Sequence, residues 1–202
     1  MKTIILLILI LPSLNLIAQE NIYANNVIPK DNIGVNNRNF KLEGFYYSKR
    51  LDMKSGNHSA KYIAPMIFYK DGTVMNFDYF GNSSHTIRLK EKGKKCILKP
   101  KKDYSIIIDF FKCYAEIVNK KETNSVYSIN GSIIRIQHLG ANFFVEQRGI
   151  VLNDSTFIIT KRINYKTNQL VSENFKYQFQ PSKKPDSTKL NPNSQIKNYF
   201  QQ

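Results

Sequence analysis

The sequence predicts a mainly β protein, an antiparallel meander of about eight strands with one amphipathic helix inserted midway. Three observations carry that expectation. Short extended runs alternate apolar and polar residues, tight-turn pairs separate those runs, and one segment alone changes to a helical spacing.

The turns come first. Asp71-Gly72 and Asn130-Gly131 are pairs that tolerate the positive φ angles of tight hairpins, and Asn153-Asp154-Ser155 and Lys166-Thr167-Asn168 are weaker versions of the same signal. They divide the chain into extended runs at 42–48, 62–69, 73–80, 125–129, 132–139, 142–152, 156–165 and 170–180, with 85–90 as a candidate ninth. The last run has the cleanest period of two: Phe175, Tyr177 and Phe179 point one way, and Lys176, Gln178 and Gln180 the other. Met75, Phe77 and Tyr79 alternate with Asn76 and Asp78, and Ile134 and Ile136 with Arg135 and Gln137. Such alternation belongs to antiparallel sheets with one covered face.

The helix is expected at 104–120. Asp103 is a suitable N-cap, and Ile107, Phe110, Phe111, Tyr114, Ile117 and Val118 recur at spacings of three and four. Asp109, Lys112 and Glu116 fall on the opposite face, so the aromatic face is expected to pack against the sheet. The polar face is mixed in sign, unlike that of a membrane-surface helix.

Residues 1–18 read as an export signal. Lys2 supplies the positive start, residues 4–11 form an apolar run, and Leu16-Ile17-Ala18 offers a cleavage site before Gln19. The run is shorter than the roughly 20 residues that span a bilayer, so the expected product carries no transmembrane span. It is expected in the periplasm, on the outer surface or secreted. A flexible, Asn-rich lead-in (19–39) then precedes one domain (40–180) and a polar tail (181–202).

The formal charge is +15, from 30 Lys and Arg against 15 Asp and Glu. About half lies in residues 88–102, where Arg88, Lys90, Lys92, Lys94, Lys95, Lys99, Lys101 and Lys102 face only Glu91. An excess of this kind favours anionic surfaces such as acidic lipid or polysaccharide. Only 6 of the 30 cations are arginine, the residue that dedicated phosphate readers favour, so nucleic acid is not the expected partner. Cys96 and Cys113 are the only cysteines, free either to pair after export or to remain thiols.

Eight meandering strands behind an export signal, with Gly44 opening the first in Leu42-Glu43-Gly44-Phe45-Tyr46-Tyr47, resemble the lipocalin-type (calycin) barrels of the bacterial envelope. Gly44 and Tyr46 stand where that family has Gly-x-Trp, and the chain has no tryptophan. The resemblance covers residues 40–180 and lies in architecture and turn rhythm. It implies a barrel that binds a small hydrophobic molecule and performs no catalysis. The lining side chains would be Phe45, Tyr47, Met75, Phe77, Tyr79, Ile134, Ile136, Phe175, Tyr177 and Phe179, which can either line a cavity or fill it.

No catalytic motif competes with that reading. His58, His85 and His138 lie in separate segments without a nucleophile signature, and His138 is expected to be a hydrogen-bonded residue at a strand end. There is no CxxC, no HExxH and no glycine-rich phosphate loop, so neither metal nor cofactor is expected. The expected function is an exported, non-enzymatic binding protein. The alternatives are a basic protein engaging an anionic partner through residues 88–102, or a structural envelope component without a ligand.

Overall fold

The computed structural model describes residues 26–35, 40–51, 61–76, 80–81, 87–91, 94–98, 105, 108–110, 113, 120–123, 125–140, 143–184 and 187–190. A single 3₁₀ turn (Lys30–Asn32) precedes the short strand β1 (Gly34–Val35). Next come β2 (Gly44–Leu51), β3 (Lys61–Phe68), β4 (Val74–Asn76), β5 (Phe80–Gly81), β6 (Ile87–Glu91), β7 (Lys94–Leu98) and β8 (Lys120–Thr123). The chain continues with β9 (Ser125–Asn130), β10 (Ile133–Gly140), β11 (Phe143–Asn153), β12 (Thr156–Asn164), β13 (Gln169–Pro181) and β14 (Ser187–Leu190).

Eight of these strands form a nearly closed antiparallel barrel in the order β9-β10-β11-β12-β13-β2-β3-β4. The first barrel strand in the chain, β2, pairs with the last, β13, through Gly44↔Pro181 to Tyr47↔Gln178. The remaining gap, between β4 and β9, is bridged at Thr73↔Val126, where the Tyr127 amide donates to the Gly72 carbonyl at 2.9 Å. The sheet continues beyond β9 with β1, which runs parallel to it, and β5 lies off this path, paired with β3.

Turn chemistry positions the strands as their sequences require. Gly72 and Gly131 have φ of +82° and +58°, and Asn168 takes the left-handed value of +53°. Gly44 answers a different need: a Cβ there would meet the Gln180 carbonyl and the Phe179 ring, so only a bare backbone lets β2 approach β13.

The interior is aromatic. Phe40 stacks on Tyr46 (centroids 4.7 Å, interplanar 9°), Phe157 stacks on Tyr177 (4.7 Å, 6°), and Phe68 meets Tyr127 edge-on at 4.8 Å. Met66, Val74, Ile129, Ile134, Ile136, Val151 and Ile159 complete this cluster, with Phe175 and Phe179 packed against it. Phe40, just before β2, is buried in this cluster, and the Tyr46 hydroxyl donates to the Asp154 carbonyl at 2.9 Å.

Part of the lead-in that the sequence marks as flexible is laid against the outside of the barrel. Residues 26–35 form a strap over β9–β11, where Ile28 is fully buried with Val126, Leu139 and Phe144. In the helical segment, Ser105, Ile108, Asp109, Phe110 and Cys113 are the described residues; all are helical, and Phe110 is buried. The segment ends sooner than expected, because Lys120 and Lys121 already belong to β8, which runs parallel to β14. The candidate ninth strand is β6; it pairs with β7 as a separate two-stranded ribbon outside the barrel. Among the described residues no helix is long and apolar enough to cross a membrane.

Candidate functional site

Register decides which expected lining residues face inward. Ile134, Ile136 and Tyr177 are fully buried in the interior, and Phe175 and Phe179 pack against them. Phe45, Tyr47 and Met75 face the other way, and that expectation is corrected. On β2 the inward residue is Tyr46, opposite Met66, so its neighbours Phe45 and Tyr47 lie on the outer face. On β4 the inward residue is Val74, opposite Phe68, which turns Met75 outward beside Ile67. All three are nonetheless buried, so this part of the barrel is covered on both faces. That is why alternation misleads here: aromatic residues at 45, 46 and 47 are apolar on either parity. Phe77 and Tyr79 lie outside the described residues.

The same register brings together a set of residues that sequence reading missed. One inward step from the aromatic floor, every barrel strand changes from a large apolar residue, or from the backbone of a glycine, to a small or polar one. On β2 Tyr46 gives way to Ser48, on β3 Met66 to Ala64, and on β4 Val74 to Asn76. On β9 Tyr127 is followed by Ser125, on β10 Ile136 by His138, and on β11 Gly149 by Gln147. On β13 Phe175 gives way to Glu173. On β12 the change uses a bulge. Ile159 pairs with Gly149 but Lys161 pairs with Arg148, so the extra residue, Thr160, shifts the parity and places Arg162 opposite Gln147.

These residues form an internal polar ring. Ser48, Ala64, Ser125 and Gln147 are buried, and Arg162 stands at the rim with its side chain half exposed. The Ser125 hydroxyl is 2.7 Å from His138 Nδ1, and His138 Nε2 is 3.4 Å from Gln147 Oε1. With the proton on Nε2, the imidazole accepts from the serine and faces the amide oxygen with its donor. Between the adjacent strands β12 and β13, Arg162 Nε pairs with Glu173 Oε1 at 3.3 Å. The ring thus offers hydroxyl, imidazole, amide, guanidinium and carboxylate groups above a hydrocarbon floor.

A second concentration of charge lies on the outer face, under the strap. Glu146 is fully buried, with Arg135 donating to it from Nε (3.2 Å) and Nη2 (2.8 Å) and with further contacts from Gln137, Arg148 and the Tyr165 hydroxyl. Burial opposes ionisation of Glu146, but the hydrogen bonds from Arg135, Gln137 and Arg148 outweigh it and hold the carboxyl below its ordinary pKa. Gln137 fastens the strap by accepting from the Ile28 amide at 2.9 Å and donating to the Asn26 carbonyl at 2.7 Å. These groups are spent on holding the chain's own backbone.

A cleft of about 520 Å³ lies among Glu43, Tyr69, Lys70, Asp71, Ser182, Lys183 and Lys184. The Lys184 ammonium donates to the carbonyls of Leu42 and of Phe68 (3.1 Å) and lies 4.8 Å from the Tyr69 ring centroid. Burial lowers its pKa, and its bonding is directed into the protein.

Of the basic stretch, Arg88 and Lys90 lie on β6, and Lys94 and Lys95 on β7. Lys92, Lys99, Lys101 and Lys102 lie outside the described residues. Register sets Lys90 opposite Lys95 and Arg88 opposite Ile97, which puts these four positions on one face of the ribbon. Cys113 is disulfide-bonded, and the chain's other cysteine, Cys96 on β7, has a side chain outside the described ones. Among the described residues no group of three or more His, Cys, Asp or Glu side chains is placed to hold a metal ion. No family, curated protein or solved structure matches this chain.

Proposed function

We propose that this chain is an exported, non-catalytic binding module that holds one small amphipathic molecule inside the barrel, with its apolar part on the aromatic floor and its polar end in the ring above. One observation carries the reading: followed in one direction along the interior, each of the eight strands turns from a bulky or backbone-lined inward position to a small or polar one. An eight-stranded barrel is just wide enough to be filled by side chains or to hold one small ligand. Tyr46, Phe68, Phe157 and Tyr177 supply the filling at one end. Ser48, Ala64 and Ser125 provide none at the other. The resemblance to lipocalin-type barrels favours the same use of the interior, and the polar ring shifts the ligand class from purely hydrophobic to amphipathic.

The Ser125–His138 contact favours binding over catalysis. In a hydrolytic triad a carboxylate stabilises the imidazolium as it forms. Here the group beyond the imidazole is the neutral amide of Gln147.

Titration of the processed protein with 8-anilinonaphthalene-1-sulfonate, an amphipathic anion, tests the reading. Saturable fluorescence that Ala64→Phe abolishes, with the β-sheet circular dichroism intact, is the expected result. Binding unchanged in Ala64→Phe overturns it.

A second reading rests on the ribbon, where the register sets positions 88 and 90 opposite the exposed Ile97 and Lys95. It is that of a basic surface for an acidic polysaccharide. Its test is retention on a heparin matrix as salt rises, which the Lys90→Gln/Lys95→Gln variant should shorten if the ribbon is the contact.

A further inference from the structure

The outer face of β10–β12 carries an apolar row that the other described residues leave in solvent. Ile133 pairs with Ile150 and Ile150 with Ile158, so three isoleucines run side by side across three strands. Leu152, at the irregularity that follows Ile150 on β11, is exposed beside it. Ile133, Leu152 and Ile150 are 57%, 53% and 47% exposed. Isolated exposed apolar residues are ordinary, but a contiguous row marks a contact surface.

The border of this row is cationic. Ile158 pairs with Lys176 on β13, and the next outward row is Arg135↔Arg148↔Lys161. Against these four cations the same face of β10–β13 offers only Glu146, which is fully buried. Asp154, at the nearby turn, is paired with Lys41 at 3.1 Å.

We propose that this row is a shallow membrane-docking surface, with Ile133, Ile150 and Leu152 entering the headgroup region of an anionic bilayer while Lys161 and Lys176 meet the lipid phosphates. Size favours a bilayer over a second copy of the chain. A stable dimer buries about 800 Å² on each partner, some 20–30 residues a side, and a row of four side chains falls well short of that. Apolar insertion backed by cationic attraction binds anionic lipid without an interlocking partner surface.

The test is sedimentation of the processed protein with vesicles of mixed phosphatidylglycerol and phosphatidylcholine, and with phosphatidylcholine alone. Binding to the anionic vesicles is expected to weaken on the order of tenfold or more in Ile133→Ser/Ile150→Ser/Leu152→Ser. It is expected to weaken severalfold, with a shallower salt dependence, in Lys161→Gln/Lys176→Gln. The first variant leaves every charge in place, including those of residues 88–102, so its loss separates this surface from general basicity. The substituted side chains are exposed, and circular dichroism checks that both variants fold. Three results overturn the proposal: no binding to anionic vesicles at low salt, equal binding by the apolar variant, or a concentration-dependent dimer that the apolar variant abolishes.

Discussion

Gln137 and Glu146 lie directly opposite each other on β10 and β11, both fully buried, and together they tie the strap formed by residues 26–35 to the barrel. The amide reaches the strap backbone, and the carboxylate holds both the amide and two arginines. Because the folded-state pKa of Glu146 is depressed, its contribution to stability is present above the ordinary Glu pKa of about 4.3 and is lost as pH falls through the folded value. Denaturant midpoints should therefore fall between pH 5 and more acid conditions, more steeply in the wild type than in Glu146→Gln. At neutral pH, Glu146→Gln should cost about 1–3 kcal/mol, because it removes the negative charge that offsets Arg135 and Arg148. Amide exchange at Ile28 would then speed up before exchange in β2 or β13 does.

Gly149 sits at a register shift between β11 and β12, where a Cβ would run into the Ile158 carbonyl. Relief requires the two strands to separate at the bulge that turns Arg162 inward. Gly149→Ala should destabilise by about 2 kcal/mol or more, read as a lowered midpoint at unchanged denaturant slope.

Two tyrosines of the floor make the protein sensitive to alkali. Burial raises the pKa of Tyr46 and of Tyr127 well above the ordinary tyrosine value, and the Tyr127 hydroxyl donates to the Tyr69 carbonyl at 2.7 Å. The folded chain keeps these protons where the unfolded chain releases them, so stability should fall as pH rises beyond about 10. Tyr127→Phe should cost about 1 kcal/mol at neutral pH and flatten that alkaline loss, as urea midpoints at pH 7 and pH 11 would show.

The disulfide at Cys113 gives a thiol count. Unreduced, unfolded protein should show no free thiol to a colorimetric reagent, and Cys113→Ser should show one. The variant should lose roughly 3 kcal/mol, the usual effect of opening a loop of this size.

Much of the fold is legible in the sequence because local chemistry and tertiary structure agree there. Phe175, Tyr177 and Phe179 alternate inward along β13, Ile134 and Ile136 do so on β10, and the Asp71-Gly72 and Asn130-Gly131 turns take the positive φ they announce. Legibility stops where both faces of a strand are covered. Phe45, Tyr46 and Tyr47 carry no parity signal, and only pairing with Met66 shows which one points in. It stops again at Thr160, because a bulge reverses parity without changing composition. The polar ring escaped notice for a related reason. Ser48, Ala64, Ser125 and Gln147 are unremarkable singly, and only the pairing of the strands shows that all four face inward. The strap was hidden by its polar composition, since Asn26 and Ile28 are fixed by a glutamine and an ion cluster more than 100 residues away.

Whether the interior ring is a ligand seat is decided by nuclear magnetic resonance of the labelled protein. Addition of 8-anilinonaphthalene-1-sulfonate should shift the His138 imidazole and the amides of Ser48, Ala64 and Gln147 in a saturable manner, and should leave Ile28 and Leu152 unmoved. Shifts confined to the outer face, or none at all at saturating probe, would contradict it.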